Sequence, residues 1–254
     1  MMATWNIVKY TLIEAIRNKI YFISFIFALV LLFLARALAA LSFSEQGVMF
    51  FDFSLAGLNL IGVFLAIFLG VFLLQKECEP KALLLVLSKP ISHTQYLCGK
   101  FIGYYISIFF VLLLTAAILM LIFVLYDVSI NAHFFAAFAG ILLDVFVCLS
   151  FVFFFSQITK LFLAMAFSFC FWLICHAHNG LKYLLENSSE TSLKVVNFVV
   201  NTVAPNFSTW NFKDLYYLEK LVIADYLYAG IYAFAWGAFY FLCAILIFRK
   251  KDCV

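Results

Sequence analysis

Two long apolar segments flank the sequence QKECEPKALLLVLSKPISHTQYLCGK, which occupies Gln75–Lys100. Pro80 followed by the apolar run Leu83–Leu87 predicts a short helix, because proline suits the first helical turn. Pro90 ends that helix, since the residue before a proline disfavours helical backbone. Ser92, with a glutamine three residues later, is a capping box and predicts the start of a second helix. A helix as short as the first is unstable alone, so it must pack on its own bundle or on a partner.

The composition on either side of this stretch is that of a membrane protein. Hydrophobic residues make up 67% of the 254 residues and charged residues only 11%, against about 25% charged in soluble domains. Apolar runs of about twenty residues recur, and each is long enough to cross a hydrocarbon layer about 30 Å thick. The runs are continuous and do not alternate, so they predict helices rather than barrel strands. We therefore expect an all-α polytopic membrane protein that forms a single domain over residues 1–254.

The apolar runs predict six transmembrane helices, at roughly residues 20–40, 53–74, 101–125, 134–156, 161–175 and 226–248. An amphipathic helix in the membrane interface is expected within residues 1–19, because Trp5, Val8 and Leu12 recur at helical spacing. Residues 176–225 are too apolar to form a free ectodomain. We expect short helices there, half-buried at the outer surface.

Lysine and arginine residues indicate the orientation of the chain. One set of connections and both ends contain the basic residues Lys9, Arg17, Lys19, Lys76, Lys81, Lys89, Lys100, Lys160, Arg249, Lys250 and Lys251. The first two connections on the other side contain none. Since basic residues accumulate on the cytoplasmic side, both termini and the loop 75–100 are predicted to be cytoplasmic.

The features within Gln75–Lys100 resemble the signature of type-2 ABC transporter permeases. The resemblance lies in the acidic pair Glu77-Cys78-Glu79, the run Leu83–Leu87, the turn Ser88–Ser92 and the pair Gly99-Lys100. It extends to the layout of the whole chain, which is similar to that of permeases from copper-maturation and gliding-motility transporters. Pro80-Lys81-Ala82 departs from the family pattern, in which a Gly-Thr-type pair is common.

This resemblance implies a permease subunit of an ATP-driven transporter, an exporter in the inner membrane of a bacterium. Two copies of a separate ABC ATPase subunit would bind ATP and Mg, and a second permease chain, identical or paralogous, would complete the pathway. The chain contains no GxxxxGK[ST] phosphate loop, so we expect it to be no enzyme and to hold no cofactor of its own. The lipid bilayer is the remaining expected partner, and no nucleic acid is expected.

The resemblance also implies which residues couple the chain to the ATPase. They are Glu77, Glu79, Leu83, Leu84, Leu87, Ser88, Lys89, Pro90, Gly99 and Lys100. The leucine-rich helix would sit in a cleft of the ATPase, whose closure would push on this loop. Gly99 and Lys100 would mark the joint at which that motion enters the third span.

Two ionisable residues lie within predicted spans. Asp144 is near the middle of the fourth span, where a carboxylate costs a few kcal/mol and normally faces the bundle interior or water. Its role as a pathway or proton-coupling residue and its role as a neutral, hydrogen-bonded core acid both remain open. Arg36, near the outer end of the first span, is a second possible pathway residue, although contact with the lipid headgroups is favoured over contact with substrate. An Arg36–Asp144 pair is disfavoured, because Asp144 lies several ångströms deeper.

Two other functional classes remain as alternatives. A haem-binding membrane anchor would use His133, His176 or His178, but these histidines lie at the ends of spans rather than facing one another within them. Metal binding by His176 and His178 together is disfavoured, because residues two apart on a helix face different ways. A carrier that works without ATP would use Asp144. Separately, three glycines of the second span predict a face for close helix approach in a dimer: Gly57, Gly62 and Gly70.

Overall fold

The computed structural model describes residues 2–17, 20–40, 46–73, 92–126, 132–186, 197–198, 200–212 and 223–250. Within these ranges the backbone is helical apart from short turns, and it contains no β-strand. The predicted all-α class is therefore confirmed. The helices are α1 Met2–Arg17, α2 Ile20–Ala40, α3 Gln46–Phe68, α4 His93–Leu125, α5 Ala132–Ile158, α6 Leu161–His176, α7 His178–Glu186 and α8 Ile223–Lys250.

Four of these helices are long and apolar enough to cross a membrane. The crossing segments are Gly47–Phe72, His93–Leu125, Ala132–Ile158 and Ala224–Lys250. Two apolar helical stretches are shorter, Phe25–Leu34 within α2 and the 16-residue α6. At 1.5 Å per residue, α6 by itself is about 24 Å long, which is less than the hydrocarbon thickness.

The capping box predicted at Ser92 is present and begins α4. The Ser92 hydroxyl accepts a hydrogen bond from the Gln95 backbone N–H at 3.3 Å, and the Gln95 side chain accepts one from the Ser92 N–H at the same distance. Because both exposed N–H groups gain partners, the helix starts at His93 rather than at the apolar boundary near residue 101. At about 50 Å, α4 is longer than the hydrocarbon layer, so its first turns extend beyond it.

Basic residues mark one end of the bundle, here called the basic end, where Lys100 follows the start of α4, Lys160 follows α5 and Arg249 lies at the end of α8. The start of α4 meets the end of α8 there, since the rings of Tyr96 and Phe248 stack with centroids 6.3 Å apart. The side of the bundle away from these residues is called the opposite end.

Helix α1 packs along the first turns of α4. It buries Ile7, Val8, Thr11 and Ala15 and leaves Trp5, Tyr10, Ile13 and Ile16 exposed. The predicted amphipathic stripe is therefore divided, since Val8 faces the bundle whereas Trp5 and Ile16 face away. Helix α1 therefore has two apolar faces, one buried against the bundle and one exposed at its surface.

Helix α5 is at the centre of the bundle and packs against α3, α4, α6 and α8. Close contact with α3 depends on glycine, because a Cβ added at Gly62 would lie 2.6 Å from the Val145 side chain. Gly70 likewise lies against Val152, at the point where α3 continues as the π-helix Leu69–Leu73. The prediction that Gly62 and Gly70 form a dimer face is therefore wrong, since both are used within the protomer.

The region after α7 does not stay at the surface. Residues 200–212, here called the re-entrant segment, enter the bundle beside α8. The Tyr240 hydroxyl donates to the Val203 carbonyl, and the Asn206 N–H donates to the Tyr232 hydroxyl at 3.3 Å. Tyr240 lies about 25 Å along α8 from its start, at about 1.5 Å per residue. The segment is half-buried, as predicted, since Asn201–Val203 are exposed, but it reaches deeper than a surface helix, because Phe207, Trp210 and Phe212 are buried in the protein interior.

Candidate functional site

The structure describes two of the ten predicted ATPase-coupling residues, Gly99 and Lys100. The other eight lie outside the described residues: Glu77, Glu79, Leu83, Leu84, Leu87, Ser88, Lys89 and Pro90. The described site at the basic end is therefore the beginning of α4 and the elements packed on it.

Two glycines allow α1 to lie directly against α4. A Cβ added at Gly99 would be 2.9 Å from the Ile7 side chain, and one added at Gly103 would be 2.8 Å from the Thr11 side chain. Residues four apart share one face of a helix, so the two glycines form a single notch for α1. This contact, with the ion pair described next, is here called the α1–α4 joint.

A buried ion pair connects the same two helices. The Lys100 ammonium lies 3.1 Å from a carboxylate oxygen of Glu14, and the two side chains are 6% and 33% exposed. The ammonium also lies 5.8 Å from the centroid of the Tyr104 ring. A buried charge is costly unless it is paired, so the pair fixes the position of α1 along α4. Gly99 and Lys100, which the family resemblance implies are coupling residues, lie at the contact between the two helices.

The second candidate site surrounds Asp144, at the middle of α5. Its two carboxylate oxygens accept hydrogen bonds from Asn59 Nδ2, at 2.7 Å, and from Trp210 Nε1. His176 Nε2 lies 3.9 Å from the oxygen that Asn59 contacts. These four residues, here called the Asp144 cluster, join α3, α5, α6 and the re-entrant segment.

The re-entrant segment reaches Asp144 because a proline ends the preceding helix and a glycine on α5 leaves space for Trp210. Pro205 cannot continue the helix over 200–203, and the Asn206 side chain then accepts from the Ser208 N–H at 3.0 Å to begin the turn Phe207–Trp210. Gly140, one helical turn before Asp144, contacts the Trp210 carbonyl. A side chain at residue 140 would keep Trp210 from the carboxylate.

Asp144 faces the bundle interior, as its position in an apolar span predicts, and its side chain is 7% exposed. The sequence did not predict that Asn59, Trp210 and His176 would surround Asp144. Asn59 is an amide in an otherwise apolar span, which is a signal that sequence reasoning did not use. Trp210 gave no signal, because nothing in its neighbours distinguishes it from other aromatic residues of the chain.

Arg36 lies apart from the Asp144 cluster. Its guanidinium is 4.6 Å from the centroid of the Tyr126 ring, which follows the last turn of α4 at the opposite end. A guanidinium over an aromatic face is a favourable cation–π contact. The geometry agrees with the expectation that Arg36 and Asp144 do not pair.

The three histidines considered as haem or metal ligands have different surroundings. His176 contacts the Asp144 cluster, whereas the His178 side chain hydrogen-bonds with Asn201. Burial lowers the pKa of His178, and nearby Lys182 lowers it further, although the bond to Asn201 acts in the other direction. His133 lies in the first turn of α5, about 16 Å along the helix from Asp144.

A large apolar groove lies between α2, α3 and α6. Its volume is about 480 Å³, and it is lined by Phe27, Leu60, Val63, Phe64, Ile67, Phe68, Phe162, Met165, Ala166 and Phe169. It contains none of the residues of the Asp144 cluster.

A family model described as ABC-2 family transporter protein matches residues 5–252. A comparison with curated proteins finds no match. Members of this family are the membrane component of a transporter rather than its ATPase. Because the match spans nearly the whole chain, the protein belongs to the ABC-2 transporter family, as the resemblance of Gln75–Lys100 predicts.

Proposed function

We propose that the chain is the permease subunit of an ATP-driven exporter and that a separate ATPase subunit drives it through residues 75–100. The observation that carries the proposal is the α1–α4 joint, which begins seven residues after the capping box at Ser92. A force applied to the loop before Ser92 meets α4 at its first turn. The glycine notch and the Lys100–Glu14 pair then pass the force to α1.

The proposed orientation places the basic end in the cytoplasm of a bacterium, with both termini on that side of the inner membrane. Six crossings are consistent with the helix lengths. Helix α2 has 21 residues, about 31 Å. Hydrogen bonds from the Ala177 N–H to the Leu173 carbonyl and from the Leu181 N–H to the Ala177 carbonyl carry α6 into α7. The two helices together are about 39 Å long, enough for a fifth crossing.

The proposed cycle follows from this arrangement. Two ATPase subunits hold ATP and Mg, and their closure pushes on Glu79–Ser88. Because α1 and α4 are fixed to each other, they move with this loop as a rigid body, a common form of protein switching. The first three spans then rotate against a second permease chain, which is identical or paralogous.

The proposed contact with the second chain is the apolar groove between α2, α3 and α6. Its ten lining residues carry no charge and no hydrogen-bonding side chain, so lipid or an apolar protein surface matches it. An export pathway between two such faces would be lined by aromatic and aliphatic side chains. That lining favours an amphiphilic or lipid-linked cargo.

The ATPase contact is tested by placing a charge on the predicted coupling helix. Leu84→Asp and Leu87→Asp are each expected to abolish co-purification of the ATPase subunit and transport-dependent ATP hydrolysis, because a carboxylate is costly in an apolar cleft. Leu84→Ile and Leu87→Ile are the controls and should retain both. Measurement of the bound ATPase and its hydrolysis rate, beside a thermal melt, separates lost coupling from unfolding. Full coupling in both aspartate variants would overturn the proposal.

A further inference from the structure

Three buried polar atoms, one on α3 beside Asp144 and two on α6, have no hydrogen-bond partner. They are Asn59 Oδ1, Trp172 Nε1 and Ser168 Oγ, and their residues are 3%, 8% and 0% exposed. Buried polar atoms in proteins are nearly always bonded, so each such atom implies a group or a water that completes it.

The Asn59 amide has a particular relation to the carboxylate. Its Nδ2–H donates to Asp144 Oδ2, which suits the ionised form, because an ionised carboxylate only accepts. A proton added to Oδ2 would point at this N–H, leaving two donors facing each other. A half-turn of the Asn59 amide group would bring Oδ1, which has no hydrogen-bond partner, to the position of Nδ2, where it could accept from the protonated Asp144. Asn59 is thus able to pair with either protonation state of Asp144.

The other unpartnered atoms lie on one face of α6. Ser168, Trp172 and His176 are spaced by four residues, so their side chains follow one another along the helix at intervals of about 6 Å. The Trp172 and His176 rings are in contact, with centroids 4.8 Å apart. The face ends at Asp144, 3.9 Å from His176 Nε2. One water between successive groups bridges such an interval, and the unpaired atoms supply its hydrogen bonds.

We propose that Asp144 is a proton-binding site, with the Asn59 amide as the group that adapts to the proton and the Ser168–Trp172–His176 face as the route by which protons arrive. A hydronium ion supplies the proton, which binds to Asp144 Oδ2 and leaves water behind; the charge of the carboxylate changes from −1 to 0, and the Asn59 amide turns to accept. His176, whose side chain is 34% exposed, gives the site contact with its surroundings. Binding requires the folded chain alone and does not depend on the proposed ATPase partner.

The groups that face Asp144 determine what else titrates with it. On α5 and α6 these are Cys148, Cys175 and His176, and each thiol interacts electrostatically with Asp144. The re-entrant segment presents the Trp210 indole, which does not titrate, and Tyr232 of α8 contacts that ring at 5.7 Å. Helix α3 presents Asn59. A test of proton binding must therefore distinguish protonation of the Asp144 carboxyl group from protonation of the two thiols and of the His176 imidazole.

Infrared difference spectroscopy makes that separation, because only a protonated carboxylic acid shows its carbonyl stretch. The probe is the proton itself, added to the full-length chain in lipid nanodiscs between about pH 9 and pH 3, a range that brackets an ordinary aspartate and histidine. We expect a carbonyl band in the wild-type difference spectrum that Asp144→Asn lacks. The absence of any band that depends on Asp144 overturns the proposal.

A second variant keeps the carboxylate and tests its surroundings. Trp210→Phe removes a hydrogen bond that favours the ionised form, so the midpoint of the Asp144 band is expected to move up by about one pH unit. Trp236→Phe, on α8, is the matched control and should leave the midpoint in place. A midpoint that is equal in both variants contradicts the assignment of the band to this cluster.

The route is tested by kinetics after a pH jump. Ser168→Ala removes an unpaired hydroxyl and is expected to slow the appearance of the Asp144 band several-fold without moving its midpoint. Ser150→Ala is the control, because the Ser150 hydroxyl already donates to the Phe146 carbonyl of its own helix at 2.8 Å. Equal rates in the two serine variants overturn the route.

Discussion

Lys100 carries its charge in a nearly dry part of the α1–α4 joint. Burying an ammonium group costs several kcal/mol unless a partner compensates, and Glu14 is that partner at 3.1 Å. Glu14 is one-third exposed, so solvent weakens the attraction between them. Removing one member of the pair is therefore expected to harm the protein more than the pair itself stabilises it.

We predict that Glu14→Gln destabilises the detergent-solubilised chain by about 1–3 kcal/mol, because the buried Lys100 ammonium loses its ion pair with Glu14. The double variant Glu14→Gln with Lys100→Met is expected to recover part of this loss, since the buried ammonium group is gone. Lys9→Gln, at an exposed site on α1, should change stability little. Thermal unfolding of the four proteins makes the comparison. A double variant less stable than Glu14→Gln alone would show that the pair has another role.

The position of the re-entrant segment requires glycine at residue 140, because a Cβ there would clash with the Trp210 carbonyl. Gly140→Ala is expected to displace Trp210, because the added methyl group meets the Trp210 backbone rather than a flexible side-chain tip. Backbone amides in residues 200–212 should then exchange with deuterium about tenfold faster, as their local stability falls. Gly230→Ala is the control, since a Cβ there meets nothing within 4 Å. Unchanged exchange in Gly140→Ala would mean that the segment is held by its other anchors.

The elements differ in how far the sequence predicts them. Continuous apolar runs and the capping box at Ser92 are local signals, so the helices and the start of α4 follow from them. Contacts between helices are not local: Lys100 and Glu14 are 86 residues apart, and Asp144 is 85 residues from Asn59. In a chain that is 67% hydrophobic, apolar periodicity does not distinguish a protein-facing side from a lipid-facing one. The role of Gly62 and Gly70 and the depth reached by Phe207 and Trp210 were misjudged for this reason.

At the scale of the whole molecule, the exposed apolar surface is not uniform. Helix α5 packs against α3, α4, α6 and α8 and buries most of its central residues. Between α2, α3 and α6, in contrast, the groove of about 480 Å³ stays open along the side of the bundle. Helix α8 also exposes large apolar side chains, such as Leu242, but these are not among the residues that line the groove. A protein partner that fills a concave surface makes more van der Waals contacts than one that lies on a convex surface, so the groove gains more binding energy from a partner than the exposed face of α8 does.

We therefore predict that the second permease chain covers the groove. Phe162 lines it and is 81% exposed, whereas Leu242 on α8 is 58% exposed and lies outside it. In a chain whose seven cysteines are replaced, Phe162→Cys is expected to form a covalent dimer in native membranes with a short thiol-reactive cross-linker. Leu242→Cys should remain monomeric under the same treatment. Cross-linking at Leu242 but not at Phe162 would move the interface to α8, and the groove would then face lipid throughout the cycle.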